Sequence, residues 1–168
     1  MSVVMLSGPV GAGKTTVARE LLAISPPPLC YIEGDAFWPV FAKPGTVTRR
    51  ERFGVLMRAI TAAAVPLARS GNEVVLDFTF PLEFIPIARK IVKEIPLDFV
   101  LLRPSIATCE QRALARPEGG LSDYTAYRDF YMMFEGLPQH EICDDHAEAT
   151  SLARRIRDGL DQGIFRLA

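Results

Sequence analysis

The chain has 168 residues, 49% hydrophobic and 23% charged, which suits one compact domain with a real core and excludes a disordered segment or a disulfide-stapled scaffold. The formal net charge of −1 excludes a global pull toward nucleic acid or an anionic membrane, so partners must be sought in a local site. Three cysteines without a C-x-x-C spacing and two histidines make neither a disulfide framework nor a zinc site. With no basic region leading into a long apolar run, the expectation is a cytoplasmic protein with reduced thiols.

Taken in chain order, Val3-Val4-Met5-Leu6 is a short apolar run of the buried-strand kind. It leads into Gly8-Pro9-Val10-Gly11-Ala12-Gly13-Lys14-Thr15, which fits G-x-x-x-x-G-K-S/T, the Walker A phosphate-binding loop, with Thr16 behind it. Glycines let the backbone turn tightly and bring its N–H groups close to a polyphosphate. The helix that follows adds its own N-terminal amides and dipole. In this pattern Lys14 reaches the β- and γ-phosphates and the Thr15 hydroxyl holds Mg²⁺.

Residues 15–24 read as a helix with Val17, Ala18, Leu21 and Leu22 on one face, ended by Ser25-Pro26-Pro27-Pro28. Residues 29–33 read as a second strand, punctuated by Gly34-Asp35. Residues 36–47 form a loop or broken helix with Phe37, Trp38 and Phe41. Thr48-Arg49-Arg50-Glu51 is a capping box that starts a helix to about Ser70, with Gly71 as its C-terminal cap and Pro66 kinking or ending its last turn. Residues 73–78 are a third strand carrying Asp77 near its end. Residues 81–94 are a helix bent by Pro86.

Residues 97–102 are a fourth strand. Ser105 caps the next helix, which stops before Pro117 and leads into the loop Pro117-Glu118-Gly119-Gly120. Ser122 caps a helix to Glu135, ended by Gly136. A short fifth strand around 141–143 and a closing helix over 147–160 complete the pattern. Strands alternating with helices predict an α/β fold, a parallel sheet covered on both faces. Ligands of such sheets bind beyond the carboxyl ends of the strands, where the Walker loop, Asp35 and Asp77 all fall.

Each candidate residue has a chemical reason and a plainer alternative. Asp77 suits a Walker B acid that holds Mg²⁺, usually through its water, or a strand-end aspartate that caps a turn. Asp35 suits an acceptor for the proton of a substrate hydroxyl, or an Asx-turn. Arg112 and Arg116, four apart, share a helix face and can close over the phosphates, or form a solvated basic face. Arg49, Arg50 and Arg52 can grip an acidic substrate, with first-turn surface charge as the plainer reading. Phe37, Trp38 and Phe41 wall an acceptor pocket or belong to the core. The cysteines read as small buried hydrophobes, and His140 and His146 as structural or exposed.

Across nearly its whole length the chain resembles the small P-loop kinases of the nucleoside monophosphate kinase-like group, above all chloramphenicol phosphotransferase, with gluconate kinase and shikimate kinase as relatives. The resemblance rests on G-P-V-G-A-G-K-T-T, the E-G-D after the second strand, V-V-L-D of the third, and L-L-R-P…C-E-Q-R-A-L-A-R-P. It implies a three-layer fold with five parallel strands in the order 2-3-1-4-5 and a short lid around 116–124. It also implies that Asp35 matches the acceptor-binding or base aspartate and that Arg112 and Arg116 match the lid arginines. Where gluconate kinases often carry a histidine–proline pair after G-D, this chain has Ala36-Phe37-Trp38-Pro39.

The expectation is an ATP- and Mg²⁺-dependent kinase acting on a hydroxyl of a small molecule, working as a monomer or homodimer. The residues bet on for the chemistry are Lys14, Asp35, Arg112 and Arg116. Gly8 to Thr16 take the nucleotide, Thr15 and Asp77 the metal, and Asp35, Phe37, Trp38 and Arg52 the acceptor. A nucleoside or nucleotide kinase and a non-catalytic ATP-binding regulator are the alternatives. A GTPase switch lacks its N-K-x-D and D-x-x-G motifs here.

Overall fold

Five strands set the frame: β1 (Ser2–Ser7), β2 (Leu29–Glu33), β3 (Glu73–Asp77), β4 (Leu97–Leu102) and β5 (Glu141–Ile142). In the computed structural model, which describes residues 1–117 and 121–167, they form one sheet in the order β2-β3-β1-β4-β5. Every pairing in that sheet is parallel. The three central strands are near-continuous apolar runs because both of their faces are covered. Their side chains alternate between two cores. Val3, Met5, Val74, Leu76, Phe99 and Leu101 pack on one side. Val4, Leu6, Val75, Val100 and Leu102 pack on the other.

The helices are α1 (Lys14–Ile24), α2 (Arg49–Arg69), α3 (Ile85–Val92), α4 (Ile106–Leu114), α5 (Thr125–Met132) and α6 (Ala149–Asp161). The first core packs against α2 and α3, through Leu56, Ile60, Ala64 and Ala88. The second lies under α1, α4 and α6, through Val17, Leu21, Cys109, Ala113, Leu152 and Ile156. No helix among the described residues is long and apolar enough to cross a membrane.

Local signals set several boundaries. The capping box is complete: Thr48 Oγ1 accepts from the Glu51 amide at 3.2 Å, and Glu51 Oε2 accepts from the Thr48 amide at 2.8 Å. Ser105 caps α4 by accepting from the Thr108 amide. Elsewhere the proline and serine signals misled. Pro86 sits at the start of α3 behind a 3-10 turn, Leu82–Phe84, where its missing N–H costs nothing, so it opens the helix rather than bending it. Helix α2, by contrast, ends at Arg69 as expected, with Pro66 inside its last turn and Gly71 at a positive φ just beyond it. Ser122 is not the cap of α5. Asp123 accepts from the Thr125 amide at 2.9 Å, and the helix begins three residues later than the serine and stops at Met132.

Two features of the C-terminal third had no sequence signal. The segment after α6 runs antiparallel beside β4, with the Phe99 amide donating to Phe165 O and the Leu167 amide to Leu97 O, both at 2.9 Å. Arg166 covers the buried Asp98 with two hydrogen bonds of 2.8 and 3.1 Å. Cys143 corrects the expectation of buried thiols: β5 is two residues long, and Cys143 leaves the core at once and is exposed. Partial burial and the neighbouring Glu141 carboxylate push its thiol up to about 11. Cys109 is buried, and burial pushes it to about 11 as well.

Beyond the end of β3 the chain is tied back to β1 by a side chain. Ser7 Oγ accepts from the Phe80 amide at 2.9 Å and donates to Phe80 O at 2.8 Å, and both residues are fully buried. Ser7→Ala leaves a buried donor and acceptor without partners, so stability should fall by about 1–3 kcal/mol. Urea unfolding reads this as a lower midpoint at constant slope, and an unchanged midpoint would show that Phe80 finds other partners.

Candidate active site

The loop between β1 and α1 is threaded through a gap that only glycine fits. A Cβ on Gly8 would lie 2.2 Å from Leu102 O, at the end of β4. A Cβ on Gly11, whose φ is 86°, would lie 2.0 Å from Cys109 O in α4. Gly8, Pro9, Gly11 and Ala12 are buried in this crossing. Lys14 Nζ turns back over the loop and donates to Gly8 O at 3.0 Å and Pro9 O at 3.1 Å. Burial lowers the Lys14 pKa below the usual lysine value, and the carboxylates of Asp77 and Asp35 oppose that shift.

Two tyrosines brace this region. Tyr124, at the head of α5, donates its hydroxyl to Val10 O at 2.7 Å and ties that helix to the loop. Tyr31 on β2 donates to Asp77 Oδ2 at 3.0 Å across the neighbouring strand. Burial, then the Asp77 carboxylate, raises the Tyr31 pKa well above the usual phenol value. Asp77 itself is 3% exposed.

A cavity of about 630 Å³ opens beside the loop. Val10, Gly13, Lys14, Thr15 and Thr16 line one part of it, and Asp35, Trp38 and Arg116 converge on it from other elements. Asp35 and Trp38 stand on a 3-10 helix, Gly34–Val40, that directly follows β2. A second cavity of about 620 Å³, against α6 and the C-terminal segment, shares no lining residue with the first.

Other candidates lie outside that lining. Asp77 sits behind it, held by Tyr31. Arg112 donates from Nη2 to Asp145 O at 3.0 Å, and a Cβ built on Gly13 would lie 3.9 Å from its Nη1. Helix α4 ends at Leu114, so Arg116 stands beyond the helix and does not share its face with Arg112. Phe37 packs against the core, and Arg52 lies 5.8 Å over the Phe41 ring, away from the cavity lining. Of the lid expected around 116–124, residues 118–120 lie outside the described residues.

The sequence reading missed several lining residues. Phe53 reads as one of a buried helical stripe, and Arg49 and Arg50 as a grip for an acidic substrate or, more simply, surface charge; all three line the cavity. Phe78, Thr79, Tyr127 and Phe130 line it as well. Nothing in the spacing of these aromatics separates them from core residues. Only the meeting of α2, α5 and the end of β3 does so.

As to metal, no group of three or more His, Cys, Asp or Glu among the described residues could hold one. The Thr15 hydroxyl lines the cavity as one hard-oxygen donor, and the Asp77 carboxylate, outside that lining and with Oδ2 accepting from Tyr31, is a second that would act through water. That fits Mg²⁺, which takes one or two protein ligands and completes its shell with water and phosphate.

Solved structures show the same architecture. A sugar kinase from Janibacter matches with a TM-score of 0.73 and 20% identity, over 96% of this chain and 95% of that one. A gluconokinase from Sinorhizobium meliloti matches at 0.68 and 19%, over 96% and 91%. The APS kinase of Mycobacterium tuberculosis, solved with AMPPNP and APS, matches at 0.68 and 20%, over 95% and 97%. These likenesses establish the fold of P-loop kinases. No curated protein sequence matches the chain significantly. The family model for chloramphenicol phosphotransferase-like proteins matches residues 1–161, and the chain belongs to that family.

Proposed function

We propose that this protein is an ATP- and Mg²⁺-dependent phosphotransferase that moves a γ-phosphoryl group to a hydroxyl of a small molecule. The observation that carries this reading is the convergence of Lys14, Thr15, Asp35 and Arg116 on one cavity with an aromatic wall. A triphosphate on the loop amides meets Lys14 at the point where its ammonium now bonds two backbone carbonyls. A phosphate oxygen is a stronger acceptor than either carbonyl, so the lysine exchanges them for the anion.

Asp35 accepts a hydrogen bond from the acceptor hydroxyl and aims its oxygen at the γ-phosphorus. The new P–O bond forms as the bond between that phosphorus and the β,γ-bridging oxygen breaks. ADP leaves, and the hydroxyl proton passes to Asp35. Lys14 and Arg116 spread their charge over the transferring group, with Arg112 held behind the loop by Asp145 O. The Thr15 hydroxyl and the Asp77 carboxylate would hold Mg²⁺, which would supply charge that neutralises the phosphates. The aromatic wall offers the acceptor an apolar surface beside the reacting groups.

The deciding assay is ATP consumption across small hydroxylated compounds, including chloramphenicol, gluconate, shikimate and nucleosides. Acceptor-dependent ADP release is expected. Tight ATP binding with no such release would leave a pure binding module instead, and preference for GTP would point to a switch.

Two substitutions separate the roles. Asp35→Asn should lower turnover by about 10²–10⁴-fold while ATP affinity in a binding titration stays unchanged. Normal turnover in that variant would remove Asp35 from the proton path. Lys14→Ala should cost about 10²–10³-fold in kcat. Its thermal melt without nucleotide should show a folded protein, whereas a full rate would show that the loop works without the ammonium.

A further inference from the structure

The cavity carries more positive charge than its reacting end explains. Among the described residues, four cationic side chains line it, Lys14, Arg116, Arg49 and Arg50, against the single carboxylate of Asp35. Lys14 belongs to the loop, and Arg116 stands two residues beyond the end of α4. Arg49 and Arg50 enter from a different element, the first turn of α2.

Helix physics does not account for that pair. The amino end of a helix carries partial positive charge, so cations in its first turn weaken it. The adjacent acid does not offset them, because Glu51 Oε2 is engaged by the Thr48 amide at 2.8 Å and the Thr48 hydroxyl at 2.7 Å. Among the described residues, neither arginine has a carboxylate within ion-pair distance. A local choice that works against its own element marks a site with another purpose.

Arg49 is also held in a defined pose. Its guanidinium carbon lies 4.4 Å from the centroid of the Trp38 ring. Trp38 in turn stacks on Phe53, with centroids 6.4 Å apart and planes 11° from parallel. A guanidinium laid on an aromatic face keeps its N–H edge for an oxyanion, and the planar fork of arginine matches a carboxylate or phosphate.

We propose that Arg49 and Arg50 bind an oxyanion on the acceptor, so that the acceptor is an alcohol with a planar apolar body and its own carboxylate or phosphate. The inference rests on the phosphotransferase reading above and names its substrate class. The apolar body lies along Trp38, Phe53 and Phe130, the hydroxyl meets Asp35, and the oxyanion meets the two guanidiniums. A neutral alcohol would leave both arginines without a partner, which sets this site apart from one built for an uncharged antibiotic.

The test uses the full chain saturated with AMP-PNP and Mg²⁺, titrated by calorimetry with two matched pairs. One pair is 3-phenyllactate and 3-phenyllactamide, and the other is uridine monophosphate and uridine. In one pair the anion should bind at least about 10-fold more tightly than its neutral partner, the scale of one charge-assisted contact. The pair that shows the preference tells carboxylate from phosphate. Arg49→Gln and Arg50→Gln should each reduce the preference about 10-fold or to nothing. Both side chains are exposed, so the variants should melt like the parent.

Equal affinity within both pairs, no binding by either pair, or a preference that survives in both variants would each overturn the inference. The AMP-PNP titration is read first. Loss of nucleotide binding would sink the phosphotransferase reading itself, whereas nucleotide binding with any of those three outcomes sinks only the oxyanion site.

Discussion

The backbone crossing at the carboxyl edge of the sheet governs the rest of the molecule. Gly8 passes against the carbonyl of Leu102 and Gly11 against that of Cys109, at separations no side chain permits. The loop is therefore clamped between the end of β4 and α4 before any ligand arrives. Tyr124 closes the clamp from α5 through Val10 O. A loop held in this way has its backbone path fixed by packing, and Lys14 Nζ bonds back to its Gly8 and Pro9 carbonyls.

Strand order then decides what surrounds the loop. β1 lies between β3 and β4, and Leu6 is in register with Asp77. β3 in turn pairs with β2, with Glu33 opposite Asp77, so Asp35 emerges two residues beyond the same edge. Three segments far apart in sequence thus end at one level because parallel pairing aligns their carboxyl ends. Tyr31 and Ser7 work beneath that edge, one on Asp77 and the other on Phe80. Asp77 is thereby held by a part-buried hydrogen bond, and the backbone beyond it by a buried pair.

Charge and apolar surface are divided within the cavity. Lys14 and Arg116 gather at the loop, whereas Arg49 and Arg50 come from α2 beside Trp38 and Phe53. A chain with a net charge of −1 therefore presents a locally cationic site. Such local focusing is invisible in overall composition, which is why composition excluded global electrostatic partners without saying anything about this one.

The strand runs, the Walker loop, the capping box at Thr48 and the cap at Ser105 were legible because each depends on neighbours within a few residues. Hydrophobic periodicity and a glycine pattern are local statements, and they determined the α/β class, the bounds of β2 and β4 and the position of the loop. The sheet order came through resemblance to a family, not from spacing. Tertiary structure alone decided which of the arginines after Thr48 enter the cavity, since Arg49, Arg50 and Arg52 are indistinguishable as residue types and differ only in the direction α2 gives them. It also decided that Phe53 and Phe130 wall a cavity, that Arg116 leaves its helix, and that Arg166 returns to cover Asp98. Each of these depends on packing between distant segments, which no window of sequence contains.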